Sequence, residues 1–173
     1  MRLKLITSRY HLWWMVLVLA GCGFHLRSYN FAGSVESFAI AGKTRLSITE
    51  PLRQGLKQAG AVEVTDGTPS IVIELLDQRR DRRSASTAGR AQAAEYETSY
   101  AVQYRFLDGA GSELTAPTWI ERQRVYRIDR GNIVGSSEEQ ALLERELLTD
   151  VVGQIIRAMD AVSRNLGSTA DAN

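Results

Sequence analysis

The sequence is poor in the residues that most enzymes and metal sites need. It contains one cysteine, Cys22, and two histidines, of which only His25 lies beyond the first 21 residues. A single cysteine excludes an internal disulfide and a cysteine-rich metal site. With one histidine left, a Ser-His-Asp or Cys-His arrangement is not expected, and the HExxH, CxxC and P-loop patterns are missing too. We therefore expect no enzymatic activity, no metal site and no cofactor.

A strong charge of one sign is also missing. The 21 Lys and Arg residues oppose 20 Asp and Glu residues, which gives a net charge of +1. Residues 1–21 hold three basic residues and no acidic one, and removing these three from the 21 leaves 18 basic against 20 acidic residues. A nucleic-acid-binding protein usually shows a clear basic excess. We therefore expect no nucleic acid among the partners.

What the chain does contain is a short apolar run near its N-terminus. Residues 12–20 are all apolar, and the segment before them carries Arg2, Lys4 and Arg9. A relaxed transmembrane helix needs about 20 apolar residues, so this run is too short to span a bilayer. A basic segment, a short apolar run and small residues before a cleavage site are typical of a secretory signal. The pattern predicts a signal peptide over residues 1–21.

The residues at the end of this segment, Leu19-Ala20-Gly21-Cys22, resemble the lipobox of bacterial lipoproteins. The resemblance implies cleavage before Cys22 and lipid attachment to its thiol, which would be the only group bound to the chain. Two or more acyl chains anchor a protein firmly, whereas one chain alone holds weakly. In lipoproteins of this type, an Asp directly after the lipid site usually favours retention in the inner membrane. Here that residue is Gly23, which favours anchoring in the outer membrane, on its periplasmic side. The alternative is an ordinary signal peptide whose cysteine is incidental.

Beyond Cys22 the pattern predicts one folded domain, in agreement with a total length that suits a single domain of roughly 100–200 residues. Residues 22–33 show no period and are interpreted as a lipidated tether. Residues 34–167 are predicted to form a single α/β domain, and residues 168–173 a flexible C-terminal tail.

Periodicity places the elements within that domain. Helices are predicted from Thr49 to Gly60 and from Ser137 to Gly167, because each shows one apolar stripe. Strands are predicted at residues 34–40, 70–78, 96–107 and 119–129. Packing the stripes of both helices on one face of the sheet gives an α+β two-layer sandwich, with a four-stranded mixed sheet and two helices on one face.

The third of these strands has the most regular alternation in the chain. One of its faces is predicted to lie in the core, as a half-buried strand requires; its residues are Tyr96, Thr98, Tyr100, Val102, Tyr104 and Phe106.

The stretch from residue 79 to residue 94 is predicted to be a long hairpin connection. It is rich in arginine: Arg79, Arg80, Arg82, Arg83 and Arg90. Guanidinium groups bind phosphate through two parallel hydrogen bonds, so these arginines are candidates for binding the phosphates of lipopolysaccharide. The alternative is a solvated basic loop that keeps a strand edge from aggregating.

Several stretches together resemble the LPS-assembly lipoprotein family LptE. The most specific is Leu19–Arg27, in which Cys-Gly-Phe-His-Leu-Arg directly follows the lipobox, and Ala94-Glu95-Tyr96 at the start of the long strand matches as well. The resemblance implies a two-layer α/β fold without an active site. It also implies a partner, the outer-membrane β-barrel LptD, in which the lipoprotein sits as a plug while the pair inserts lipopolysaccharide into the outer leaflet. The family's ligand binding would fall on Arg83 and Arg90. The alternative is a free-standing envelope lipoprotein that binds a lipid or an anion.

The anchor and the working domain are expected to be separable. Replacing Cys22 while keeping an export signal removes the lipid, and we expect assembly of the barrel partner to continue because the folded domain makes the contacts. Recovery of the barrel with the unlipidated chain measures this, and complete loss of barrel assembly would show that the anchor is essential to it.

Overall fold

Alternating apolar residues build a mixed β-sheet with two long central strands. The computed structural model describes residues 36–86, 93–129 and 133–170. In chain order the elements are β1 (Ser37–Gly42), α1 (Thr49–Gln58), β2 (Val62–Glu63), β3 (Ile71–Ser86), β4 (Ala93–Asp108), β5 (Thr118–Asp129) and α2 (Ile133–Ala170). The strands lie in the order β2-β1-β3-β4-β5. Strand β1 is parallel to both of its neighbours, whereas β3, β4 and β5 form an antiparallel meander.

The α+β class and the mixed sheet are confirmed, but the expected number of four strands is wrong. The fifth strand is β2, whose Val62 and Glu63 pair with Ser37 and Phe38 of β1. The sequence predicts only a brief extended piece at Val62 and Val64, because so short a stretch cannot define a strand by its period. Only the pairing with β1 makes these residues a strand.

Ion pairs from α1 hold β2 in place. Arg53 Nε donates to Glu63 Oε1 at 2.7 Å, and Lys57 Nζ lies 2.8 Å from Glu63 Oε2. Hydrogen bonds from Lys57 and Arg53 lower the pKa of the Glu63 carboxyl below its ordinary value. A carboxylate with a lowered pKa stabilises the folded state above its unfolded pKa, and that contribution is lost as the pH falls through the folded pKa.

The predicted hairpin connection is wrong for most of its length. Strand β3 runs on to Ser86 and pairs with β4, which begins at Ala93, so Arg79, Arg80, Arg82 and Arg83 are strand residues. A run with five charges in succession looks like a loop because it lacks apolar alternation. It remains a strand because its backbone pairs with β4 residue by residue.

A β-bulge at Leu76 changes which side chains of β3 point toward the helices. Leu75 pairs with Tyr104 and Asp77 pairs with the adjacent Gln103, so Leu76 is the extra residue. Because successive strand side chains point to opposite faces, one extra residue exchanges the faces of everything that follows. Odd-numbered residues such as Ile71, Ile73 and Leu75 are buried before the bulge, and the even-numbered residues face the helices after it.

The second helix differs from its prediction at both ends. It begins at Ile133 rather than at Ser137, and it reaches Ala170 rather than ending at Gly167. Ser137 is therefore not the first residue of the helix but lies inside it. The predicted apolar stripe is confirmed at Val151 and Ile155, which are fully buried, whereas Leu166 is exposed.

Both helices cover the same face of the sheet, as predicted. One cluster of buried side chains joins α1, α2 and strands β1, β3 and β4. Its largest fully buried members are Phe38, Phe106, Ile48, Leu52, Leu56, Ile71, Ile73, Leu75, Leu147, Ile155, Met159 and Val102. The core prediction for β4 is confirmed for Thr98, Tyr100, Val102, Tyr104 and Phe106, all of them buried, whereas Tyr96 is half-buried.

The two helices meet at Gly55. A Cβ built on Gly55 lies 2.9 Å from Ile156 Cδ1 and 3.1 Å from Val152 Cγ1, so the absent side chain allows α2 to approach α1 closely. The second helical glycine, Gly153, has only the flexible end of Arg157 near such an atom, at 3.4 Å.

We expect Gly55→Leu to destabilise the fold by about 1–3 kcal/mol, because the added side chain overpacks the contact between the helices. The matched change Gly153→Leu should alter stability by no more than about 1 kcal/mol, in the stabilising direction, because leucine has the higher helix propensity. Urea unfolding of both variants measures the difference. Equal losses would contradict the proposed contact.

Candidate functional site

The four arginines of β3 do not form one patch. After the bulge, Arg80 pairs with Tyr100 and Arg82 with Thr98, whose side chains are buried under the helices. Arg79 and Arg83 alternate with them and therefore lie on the opposite side of the sheet, which we call the outer face. Two further predicted site residues, Cys22 and Arg90, lie outside the described residues, as do the predicted signal peptide and tether.

The two outer-face arginines are partnered. Arg83 donates to Glu97 on β4 across 2.6 Å. Arg79 Nε lies 3.6 Å from Asp77 Oδ2, and its Cζ lies 4.2 Å from the ring centroid of Trp119. A guanidinium group over an indole ring is attracted by the negative face of the ring. These partners occupy Arg79 and Arg83 and favour the solvated or interfacial reading over phosphate binding for this pair.

The rest of the outer face is charged and cross-paired. Its other ion pairs are Lys43–Asp77 at 3.2 Å, Arg105–Glu74 at 2.5 Å, Arg105–Glu113 at 3.0 Å and Arg127–Glu95 at 2.8 Å. Directly opposite charges on neighbouring strands stabilise a sheet modestly, and an exposed pair contributes about 0–1 kcal/mol. The outer face is therefore polar, and most of its charges are paired across strands.

The helix side of the same strands is different, because two arginines of β5 join it. Arg122 pairs with Tyr100 and Arg124 with Thr98, so these β4 residues are each flanked by an arginine on either side. Sequence reasoning missed Arg122 and Arg124 because the faces of β5 looked mixed. Their spacing of two was the available signal, and only the register with β4 shows which face they share.

Two of these arginines fasten α2 to the sheet from opposite sides. Arg124 Nη2 donates to Asp150 Oδ2 at 2.5 Å, from edge strand β5. Arg80 Nη1 lies 3.6 Å from Glu144 Oε2, from β3. The two carboxylates stand six residues apart on α2, so the helix is held between the two strands, above the buried Thr98.

Several tyrosines lie on this helix side, among them Tyr100 and Tyr126. Burial raises the pKa of Tyr100, while a hydrogen bond with Ser47 at 3.1 Å acts in the opposite direction. Burial also raises the pKa of Tyr126. The charge of Arg82 lowers this pKa and the charge of Glu144 raises it, both by less than burial does. Within the described residues the buried Tyr126 hydroxyl has no hydrogen-bond partner.

Other kinds of site find no support in the part of the chain that is described. Among those residues, no group of three or more His, Cys, Asp and Glu side chains is arranged to hold a metal ion. No helix there is long and apolar enough to cross a membrane.

These features define a class of protein: a small α+β protein whose mixed sheet carries two helices on one face and paired charges on the other. Solved structures with a similar fold exist. The chain is similar to an uncharacterized lipoprotein B from Nitrosomonas europaea, with 24% identity and a TM-score of 0.70 over 82% of this chain and 93% of that one. It is also similar to the rare lipoprotein B from Shewanella oneidensis, with 24% identity and a TM-score of 0.64 over 76% and 99% of the two chains.

A minor lipoprotein from Acinetobacter baumannii is similar as well, with 19% identity and a TM-score of 0.60 over 73% of this chain and 92% of that one. At such identities the likeness concerns the fold. No curated protein sequence matches the chain.

The family is decided by a sequence model. The model of the lipopolysaccharide-assembly family LptE matches residues 34–159, and the chain belongs to this family. Its members are non-enzymatic lipopolysaccharide-assembly lipoproteins of the Gram-negative envelope. The resemblance found in the sequence is thereby confirmed.

We expect Arg124 and Asp150 to be energetically coupled. Both side chains are about two-fifths exposed, so the coupling should reach only about 0.2–1 kcal/mol. A double-mutant cycle with Arg124→Gln and Asp150→Asn measures it by urea unfolding. The control is the Arg164–Asp160 pair, which lies within α2. Arg124→Gln breaks the contact between β5 and α2 and should speed hydrogen exchange along α2, whereas Arg164→Gln should affect only the residues near position 164. Equal effects of both would contradict the fastening of α2 by β5.

Proposed function

We propose that the protein is an outer-membrane lipoprotein that plugs the β-barrel LptD and supports its assembly, and that the pair inserts lipopolysaccharide into the outer leaflet. The observation that carries this proposal is the family match over residues 34–159, which spans all strands and most of α2. In this proposal residues 1–21 are a signal peptide, and lipid on Cys22 anchors the chain on the periplasmic side. The role needs no catalysis, no cofactor and no nucleic acid.

The chemistry of the outer face supports a barrel as partner. The interior of a transmembrane barrel is polar, whereas its lipid-facing surface is apolar. A sheet face made of cross-strand ion pairs suits a polar lumen better than a lipid surface. The large apolar side chains exposed in the described residues are scattered: Val62, Trp119, Val125, Leu142 and Leu166. Of these, Trp119 and Val125 lie on the outer face and are candidates for contact with the barrel wall.

A second candidate function is a free-standing lipid- or anion-binding module. It is favoured by Arg82, which makes no ion pair with any described residue and whose charge is therefore available to a ligand. This function predicts that alanine at Arg82 and Arg90 abolishes ligand binding while barrel assembly continues. The two functions are compatible. Which defect appears first, the loss of ligand binding or the loss of barrel assembly, distinguishes them.

The barrel proposal predicts that the tagged chain co-purifies with a large β-barrel after mild detergent extraction, and that its depletion impairs lipopolysaccharide export. Mass spectrometry of the co-purified protein and the surface lipopolysaccharide of depleted cells measure these. Recovery of a stable monomer, together with normal export after depletion, would contradict the proposal.

A pair of variants tests the face that meets the barrel. Trp119→Ala removes an exposed apolar side chain from the outer face, whereas Leu142→Ala removes one from the exposed side of α2. We expect the yield of co-purified barrel to fall more for Trp119→Ala, because buried aromatic anchors dominate interface energies. Equal thermal stability of the two variants is the control.

A further inference from the structure

The last strand of the sheet has a long edge with no strand beside it in the described part of the chain. Strand β5 lies at the end of the strand order and pairs with β4 on one side only. It runs over 12 residues, and its register with β4 contains no shift. The opposite edge of the sheet is the two-residue strand β2. A long, regular edge strand offers its backbone N–H and C=O groups to another strand.

The outer face of β5 is complementary to a second copy of itself. In an antiparallel pair with Arg124 opposite Arg124, each residue lies opposite the one that is equally far on the other side of Arg124. Glu121 then lies opposite Arg127 of the second copy, and this pair occurs twice. Both side chains are exposed. Arg127 already donates to Glu95 at 2.8 Å, but a guanidinium has five donors and can bind a second carboxylate. Opposite charges directly across two strands stabilise their pairing.

The helix side of β5 fits the same register. Ile120 lies opposite Ile128 of the second copy, and this pair also occurs twice. Both isoleucines are only partly buried within one chain, so pairing removes further apolar surface from water. The two sides of the strand therefore favour one and the same register.

The like-charged pair of this register is Arg124 with Arg124, at its centre. Arg124 Nη2 donates to Asp150 Oδ2 of its own α2 at 2.5 Å. Inward-pointing charges otherwise prevent an edge strand from pairing. Because each copy brings a carboxylate for its own Arg124, the repulsion at the centre is reduced.

The neighbouring registers lack this complementarity. An axis at Gln123 places Arg122 opposite Arg124 twice. An axis at Val125 places Glu121 opposite Asp129 twice. Like charges directly opposite each other destabilise a strand pair, so the charges of β5 select the axis at Arg124.

Two carbonyls of β5 accept hydrogen bonds from arginine side chains. Arg122 Nη1 donates to the Glu121 oxygen at 2.8 Å, and Arg124 Nη1 donates to the Gln123 oxygen at 3.1 Å. Both bonds are exposed to solvent. A carbonyl oxygen has two lone pairs, so these bonds do not prevent either carbonyl from accepting an N–H group of a strand.

We propose that two copies of the chain, free of the barrel partner, pair through antiparallel β5 strands about a two-fold axis at Arg124. The axis stands perpendicular to the sheet, so the two five-stranded sheets join into one and the helices of both copies lie on the same face. The same surface serves both copies, as in most two-fold dimers. Pairing also covers an edge that would otherwise be open to aggregation. The dimer goes beyond the proposed function and does not depend on it.

Exchanging the charges of one pair gives a sharp test. The mature chain is purified with Cys22→Ser, so that it carries no lipid, and its dimerisation is measured by analytical ultracentrifugation. We expect Glu121→Arg alone and Arg127→Glu alone to raise the Kd of the dimer at least about tenfold, because two like-charged pairs replace two opposite ones. An equimolar mixture of the two variants restores opposite charges at both ends. Its Kd should return to within about threefold of the original.

The matched control is Glu113→Arg, which makes the same change of charge on the outer face but outside β5. It should leave the Kd of the dimer within about threefold of the original, as expected of a screened surface charge. Melting curves of all variants show whether each is folded. Recovery of the dimer in the mixture also shows that neither charge change acts by unfolding the chain.

Cysteine cross-linking tests the register. Residues 123 and 125 lie directly opposite each other when the axis is at Arg124, with Cα atoms about 4.5–5.5 Å apart, a distance that a disulfide spans. With Cys22→Ser as background, a mixture of Gln123→Cys and Val125→Cys chains should form a mixed disulfide. Each variant alone should form a disulfide dimer much more slowly.

Each outcome counts for or against the dimer. A dimer that both single charge changes weaken and the mixture restores supports it. An unaltered chain that stays monomeric at about 0.1 mM would overturn it, as would a mixture that stays monomeric. A dimer that persists in Glu121→Arg and Arg127→Glu lies at another surface and would also overturn it. Co-purification of the barrel is a separate measurement, and its failure would remove the proposed function alone.

Discussion

The pairing of β3 with β4 across the bulge at Leu76 is the constraint on which the rest of the structure depends. Before Leu76, the strand buries Ile71, Ile73 and Leu75 in the core. After it, the one-residue insertion exchanges the faces, so that Arg80 and Arg82 stand on the helix side. Without the extra residue the alternation would turn these two outward and direct their neighbours at the helices. Register, rather than the arginine run itself, thus decides where the positive charge lies.

That division gives the two sides of the sheet different capacities. On the outer face, carboxylates from β3, β4 and the β4–β5 connection neutralise the cations, which leaves a polar surface of the kind that a barrel lumen can accept. On the helix side, arginines of β3 and β5 flank buried residues of β4, and α2 is fastened between Arg80 and Arg124. Arg80 therefore contacts Glu144 of α2, whereas Arg82, two residues further along β3, makes no ion pair with any described residue.

The features that were predictable from the sequence are those set by local periodicity. The alternation of β4 identified Thr98, Tyr100 and Phe106 as core because a half-buried strand shows its inner face directly in the sequence. The stripe through Val151 and Ile155 identified the covering face of α2 for the same reason. The strand β2 and the distal half of β3 were missed, because two residues show no period and a charged strand shows none that hydrophobicity detects.

The sequence by itself determined the α+β class, the main helices and strands, and the LptE family, because short motifs and periods are properties of neighbouring residues. It also showed that the chain is rich in arginine near residue 80. Only the tertiary structure decided which arginines share a side, which of them meet carboxylates, and that Arg122 and Arg124 belong beside them. Most of those partners lie on β4, β5 and α2, well separated from the arginines along the chain, and sheet register and helix packing bring them together.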